Sequence, residues 1–216
     1  MTAKTAEFFD SYAASFNAIY GTRNTFKNRL INRLFRQSMR LRFARTIEGC
    51  RPIEGRSVID IGCGPGQYGI TLASRGAGEV IGLDFAESMI ELAERSAEHA
   101  GVESRCRFIY GDFAKFEPGR KFDYAIVMGL MDYIEKPEEI VGKTLALTKT
   151  RAFFSFPASD GFLAWQRRLR YRSRCPLYMY SEKQIHAIFD KLGCRNYNIE
   201  RLSRDFFVTA EIPSTR

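Results

Sequence analysis

The chain has 216 residues, with 33 Lys and Arg against 25 Asp and Glu, a formal charge of +8. Apolar residues at 45% and charged residues at 27% fit a soluble globular domain with an appended element. No apolar run approaches the roughly 20 residues that span a bilayer, and Met1–Glu7 lacks the apolar core of a signal peptide. A cytoplasmic location is the expectation. The five cysteines (Cys50, Cys63, Cys106, Cys175 and Cys194) are scattered, which argues against a zinc site or a disulfide framework.

Residues 5–20 place Phe8, Tyr12, Phe16 and Ile19 on one stripe, which predicts an amphipathic helix ending at Gly21. Residues 24–48 predict a second helix, with Phe26, Leu30 and Leu34 on one stripe and a basic opposite face. Between Arg23 and Arg51 nine basic residues stand against one acid, Glu48. The first helix can cover a site mouth and the second can show arginines outward, or both can be plain packing. Residues 1–50 are therefore expected to form a helical cap.

From Ser57 strand and helix signals alternate. Strands are expected at about 57–62, 79–84, 105–110, 122–128 and 151–156. Helices are expected at about 67–75, 87–100, 137–148 and 181–192. Phe122–Met128 is nearly continuous in apolar residues, as a strand buried on both faces requires. Two last strands, about 195–202 and 205–212, suggest an antiparallel pair. The pattern predicts an α/β fold with a mainly parallel sheet and helices on both faces. Ligands in such sheets lie at the carboxyl ends of the strands. Those ends carry Gly62–Gly66, Asp84, Asp112-Phe113 and Met128–Asp132. Residues 157–180 form an arginine-rich insertion in which Arg167, Arg168, Arg170, Arg172 and Arg174 interleave with aromatic residues.

Two readings compete at the glycine turn. Gly64-Pro65-Gly66-Gln67-Tyr68-Gly69 fits GxGxxG, with Asp84 20 residues after Gly64, the dinucleotide pattern. The other parsing is Asp60-Ile61-Gly62-Cys63-Gly64-Pro65-Gly66, an acid two residues before the first of three glycines. An acid there repels a pyrophosphate and suits a cationic ligand.

With Asp60–Gly66, Asp84, Gly111-Asp112-Phe113 and Phe122–Val127 in order, the chain resembles class I S-adenosyl-L-methionine-dependent methyltransferases over about residues 50–212. The resemblance implies a Rossmann-like, mostly parallel seven-stranded sheet with an antiparallel last strand. It implies a methyltransferase domain over 51–216, with the insertion at about 157–180. It implies S-adenosyl-L-methionine as cofactor, S-adenosylhomocysteine as product and no metal. Asp60, Gly62, Cys63, Gly64, Gly66, Asp84, Phe85, Asp112, Phe113 and Met128 are the expected cofactor residues. Asp84 suits the ribose hydroxyls, Asp112 the adenine amino group and Phe113 the ring face. Cys63 reads equally as a small residue in a tight turn.

Asp132 and Tyr133 follow strand four, where family members present substrate-facing groups; Asp132 is the candidate base. A looser similarity points to O-methyltransferases of the ubiquinone-biosynthesis and magnesium-protoporphyrin kind, which share an aromatic N-terminal helix and an insertion after strand five. Tyr12, Arg167, Arg168 and Arg170 are then candidates for a small, anionic or lipophilic methyl acceptor. The basic patches equally suit an RNA or membrane surface.

Overall fold

The computed structural model describes residues 26–161, 164 and 176–213, with side chains described from residue 37 onward. Helix α1 (Phe26–Gly49) leads into β1 (Ser57–Ile61), α2 (Gln67–Ser74), β2 (Glu79–Asp84) and α3 (Glu87–His99). Strands β3 (Cys106–Tyr110) and β4 (Phe122–Val127), helix α4 (Pro137–Ala146) and β5 (Thr148–Pro157) follow. Helix α5 (Glu182–Lys191) and strands β6 (Tyr197–Leu202) and β7 (Asp205–Glu211) complete the described order. The expected helix over 5–20 lies outside the described residues.

Among the described residues, the strands form one seven-stranded sheet in the order β3-β2-β1-β4-β5-β7-β6. Strands β1 to β5 pair in parallel, and β7 runs antiparallel between β5 and β6. Order reverses between β1 and β4, so the cleft at their carboxyl ends is the topological switch point.

The two-residue period of the strands divides the core. Ile59, Ile61, Phe154 and Phe156 face one side, with Ile185 and Phe189 of α5. Val58, Tyr124, Ile126 and Phe153 face the other, with Leu72 of α2 and Ile47 of α1. Central β4 is buried nearly throughout, whereas edge strand β3 is largely half-exposed. That difference explains the continuous apolar run in β4 and the mixed composition of Cys106–Tyr110.

Local signals set the boundaries. Pro137 occupies the first turn of α4, where its missing N–H costs nothing. Ser181 and Gln184 form a reciprocal capping box at the start of α5. Strand β5 starts three residues before the expected 151. Buried Thr148 donates its hydroxyl to the Thr144 carbonyl at 2.6 Å and pairs with Phe122 across an irregular register. That residue ends α4 and starts β5 in one step.

Helix α1 packs against the sheet through Ile47, and its serine and arginine side chains reach further. Ser38 Oγ donates to Asp205 Oδ2 at 2.6 Å. Arg42 Nη1 donates to Ser155 Oγ at 3.1 Å and lies 3.6 Å from Asp205 Oδ2. The outward display expected of the arginines on this helix therefore fails at Arg42, whose guanidinium turns inward to two buried oxygens. Arg45 pairs with Glu200.

Candidate functional site

Strand β1 runs into a turn of left-handed glycines. Gly64 has φ +53, and a Cβ placed there meets nothing within 4 Å. Gly66, at φ +77, caps α2 while Phe108 carbons lie 3.0 Å from where its Cβ would stand. A side chain at Gly66 is thus strained by backbone and by contact. At Gly64 the backbone alone requires glycine, and the open space beside it can admit a ligand.

Asp84, at the end of β2, is buried and turned toward this turn. Its Oδ2 accepts the Gly64 N–H at 2.8 Å, and its Oδ1 accepts the Ala86 N–H at 3.0 Å. A carboxylate has about four lone-pair sites, and these two backbone donors fix its orientation at the mouth of the cleft. After β3, Asp112 Oδ1 accepts the Ala114 N–H at 3.0 Å. This caps the short 3-10 turn Phe113–Lys115 and keeps Phe113 buried.

A cavity of about 500 Å³ opens between these strand ends and the segment after β4. On one side it is lined by Gly62, Asp84, Phe85, Asp112, Phe113 and Ala114. On the other stand Leu130, Tyr133, Ile134, Lys136, Pro176 and Tyr178. One half thus offers carboxylates and an aromatic ring, the other an apolar and aromatic wall with Glu135, Lys136 and Glu139 at its rim.

The wall after β4 is held from behind. Gly129 N–H donates to Ser155 Oγ at 2.8 Å. The Tyr178 N–H donates to the Asp132 carbonyl at 2.8 Å. Tyr180 is buried with its hydroxyl 3.1 Å from the Ile134 carbonyl and 3.3 Å from that of Met131. Its backbone N–H donates to Pro157, and the Ser159 N–H returns to Tyr180. Both described ends of the insertion are therefore joined beside the cavity.

Asp60 lies behind the glycines, buried on the α2 side of β1, and its Oδ2 has no hydrogen-bond partner among the described residues. Burial first, and then the Asp84 charge, push its carboxyl up to about 7, against a partial opposing effect of the Gly69 N–H. A buried acid facing a second acid fits a positively charged ligand better than a pyrophosphate. Burial likewise pushes the Cys63 thiol well up, with Asp60 and Asp84 adding to the effect. The physical setting is that of an inert turn residue.

Six of the expected site residues share the cavity: Gly62, Asp84, Phe85, Asp112, Phe113 and Tyr133. Gly64 touches it through its bond to Asp84, while Asp60, Cys63 and Gly66 build the turn behind. Met128 continues the alternation of Tyr124 and Ile126 and packs in the core of the opposite face. Asp132 is 3% exposed and is not among the cavity walls, whereas Tyr133 is. Tyr68 packs on the α1 side, its ring tilted 50° against that of Phe43 with centroids 5.2 Å apart. Tyr12, Arg167, Arg168 and Arg170 lie outside the described residues. Lys136 and Ile134 were not singled out from sequence. Their signal was position, on the segment between a strand's carboxyl end and the next helix. Among the described residues no group of His, Cys, Asp or Glu is arranged to hold a metal ion, and no helix is long and apolar enough to cross a membrane.

The family model described as "Methyltransferase domain" matches residues 53–191. This chain belongs to that family. The chain is 35% identical over 114 residues to the ubiquinone biosynthesis O-methyltransferase of Neisseria meningitidis serogroup C, covering 50% of this chain and 47% of that protein. The mitochondrial ubiquinone biosynthesis O-methyltransferase of Arabidopsis thaliana is 31% identical over 107 residues, 49% of this chain and 33% of its own. The chain thus spans about half or less of the length of these curated relatives. Its fold superposes on magnesium protoporphyrin IX methyltransferase from Synechocystis PCC 6803 with bound SAH, with a TM-score of 0.77 and 20% identity. That match covers 97% of this chain and 98% of the other. The form of the Synechocystis protein with bound SAM gives a TM-score of 0.72 at 22% identity.

Proposed function

We propose that this methyltransferase uses S-adenosyl-L-methionine to methylate an oxygen of a small acceptor that is lipophilic or anionic. The observation that carries the reading is the continuity of one cavity from Asp84, Asp112 and Phe113 to Leu130, Tyr133 and Tyr178. The names of the ubiquinone-biosynthesis relatives support oxygen as the acceptor atom.

The residues fit the cofactor chemically. Asp84 has acceptor capacity for ribose hydroxyls, Asp112 for an exocyclic amine, and Phe113 offers a buried ring. Asp60, with an unpartnered buried oxygen, balances positive charge. When bound, the cofactor supplies a methyl group on a cationic sulfur, an electrophile with a good leaving group. The protein's task is then alignment, which can lower a barrier by roughly 7–11 kcal/mol. The wall Leu130–Ile134, fixed by Ser155 and Tyr180, sets where an acceptor oxygen can sit. An acceptor hydroxyl must lose its proton, and Tyr133 is the polar side chain that Leu130–Ile134 contributes to the cavity lining. Asp132, the base expected from sequence, stands one residue away but buried. An acceptor carboxylate is already ionised and needs no base.

The last residues of the aromatic and arginine-rich insertion, Pro176 and Tyr178, line the cavity. We assign Arg167, Arg168 and Arg170 to the anionic part of the acceptor, and Tyr12 to its aromatic or lipophilic part. A second reading, RNA or a membrane surface as the partner of the basic patches, loses weight at Arg42, which is spent on the buried Ser155 and Asp205.

The test uses methyl-labelled cofactor with panels of phenols and of aromatic or long-chain carboxylic acids. Transfer to a phenol gives an alkali-stable ether; transfer to a carboxylate gives an alkali-labile ester. Label reaching only RNA or protein overturns the reading. Reversing Arg167, Arg168 and Arg170 to Glu together should raise the KM for the acceptor by at least about tenfold, the loss of one or more ionic contacts. An unchanged KM removes the insertion from the assignment.

A further inference from the structure

We infer that Lys143 of α4 is a positioning residue for the cofactor, a strut that sets the adenine-facing turn Asp112–Ala114 without touching the ligand. The inference rests on the reading of the cleft as an adenosyl site.

The turn Phe113–Lys115 is too short to satisfy its own backbone. Lys115 N–H returns to the Asp112 carbonyl and Phe116 N–H to the Phe113 carbonyl, at 3.0 and 3.2 Å. Lys143 Nζ, 29 residues on, donates to the next carbonyl, that of Ala114, at 2.9 Å. Asp112 caps the start of the turn and Lys143 closes its far end. An ammonium therefore supplies the donor that a longer helix would have drawn from its own chain.

The same ammonium stands 5.4 Å from the centroid of the Phe113 ring. It also donates to Glu117 Oε1 at 2.9 Å. Lysine has three N–H donors. Two are assigned to oxygens and the charge lies against a ring face, so the group has little left for a ligand. Lys136, at the cavity rim, contrasts with it: its partner Glu139 is at 3.5 Å, and both side chains are about 70% exposed. The Lys143 side chain is 20% exposed, so its contacts are screened less than those of a surface pair. Glu117 is 80% exposed and contributes little.

Phe113 and Ala114 both line the cavity. A shift of the turn relative to α4 moves the ring and the Asp112 carboxylate together. Loss of Lys143 should therefore weaken binding at the adenine end, by the same factor for adenosine as for the whole cofactor product.

The experiment is calorimetric titration of the full chain with S-adenosylhomocysteine and with adenosine, well below the melting temperature. Lys143→Met should weaken both by about tenfold, the cost of one hydrogen bond from a charged donor. Lys143→Arg, which keeps charge and donors, should recover most of that loss. Glu117→Gln should stay within about twofold, as an exposed pair does. Lys143→Gln serves if the Met variant does not fold. Unchanged affinities in a Met or Gln variant with a lowered melting temperature make Lys143 a stabilising residue only and overturn the inference. A loss for S-adenosylhomocysteine without a loss for adenosine overturns it too. If the unmodified protein binds neither ligand, the adenosyl reading fails and takes this inference with it.

Discussion

The two halves of the cavity are built differently. The half that holds Asp84, Asp112 and Phe113 hangs directly on strand ends. Each polar group there is fixed by backbone: Gly64 and Ala86 N–H groups on Asp84, the Ala114 N–H on Asp112. The half that holds Leu130, Tyr133 and Tyr178 is assembled from segments far apart in sequence. It is tied by one backbone bond, Tyr178 to Asp132, and by side chains, Ser155 to Gly129 and Tyr180 to Met131 and Ile134. The first construction gives one fixed geometry, as a common donor requires. The second can change its acceptor by loop substitution while the sheet stays the same.

If this division is right, substitutions in the two halves separate in binding and turnover. The largest effect is expected for Asp84→Ala. It removes the ribose acceptor and frees two backbone donors, each worth about 1.5 kcal/mol or more to a charged partner. Affinity for S-adenosylhomocysteine by calorimetry should fall more than about a hundredfold. Retained affinity would break the donor half of the comparison.

Next comes Tyr133→Phe. On a hydroxyl acceptor, turnover should fall by up to about a hundredfold, the low end of general-base effects. S-adenosylhomocysteine affinity should stay within about twofold. A parallel loss of both would mean that the two halves are one coupled site. On a carboxylate acceptor the same variant should lose little rate, which sharpens the assignment of the acceptor atom.

The smallest effect concerns Asp60. Burial raises its folded pKa from 3.8 to about 7, while the unfolded value stays near 3.8. The folded protein then binds the extra proton between these values. The stability it confers is complete below 3.8 and is lost as pH rises through about 7. In the ligand-free protein, melting temperature should fall from about pH 5 to about pH 8 more than in Asp60→Asn. Cofactor affinity should move the other way, rising as Asp60 ionises. Identical pH profiles for the two proteins would remove Asp60 from the charge balance.

The legibility of the sequence follows the same division. Asp84 and Asp112-Phe113 could be placed because parallel strands deliver their last residues to one edge, so spacing along the chain becomes position in the cleft. Central β4 was legible from its apolar run, and α5 from Ser181 and Gln184. Arg42 was not, because a basic residue on a helical stripe looks the same whether it meets water or a buried aspartate. Lys143 was not, because its partner Ala114 is 29 residues away and the contact exists only when α4 closes over the turn. Met128 was expected in the site since it follows β4. The two-residue period carries it to the opposite face.

The central claim is that the cleft reads an adenosyl group attached to a cation and not a dinucleotide. Thermal melting with S-adenosyl-L-methionine, S-adenosylhomocysteine and NAD, on the unmodified protein and on Asp84→Ala, tests it most directly. The account predicts that the first two ligands raise the melting temperature of the unmodified protein alone and that NAD raises neither. Stabilisation by NAD, or a full shift by S-adenosyl-L-methionine in Asp84→Ala, would contradict it.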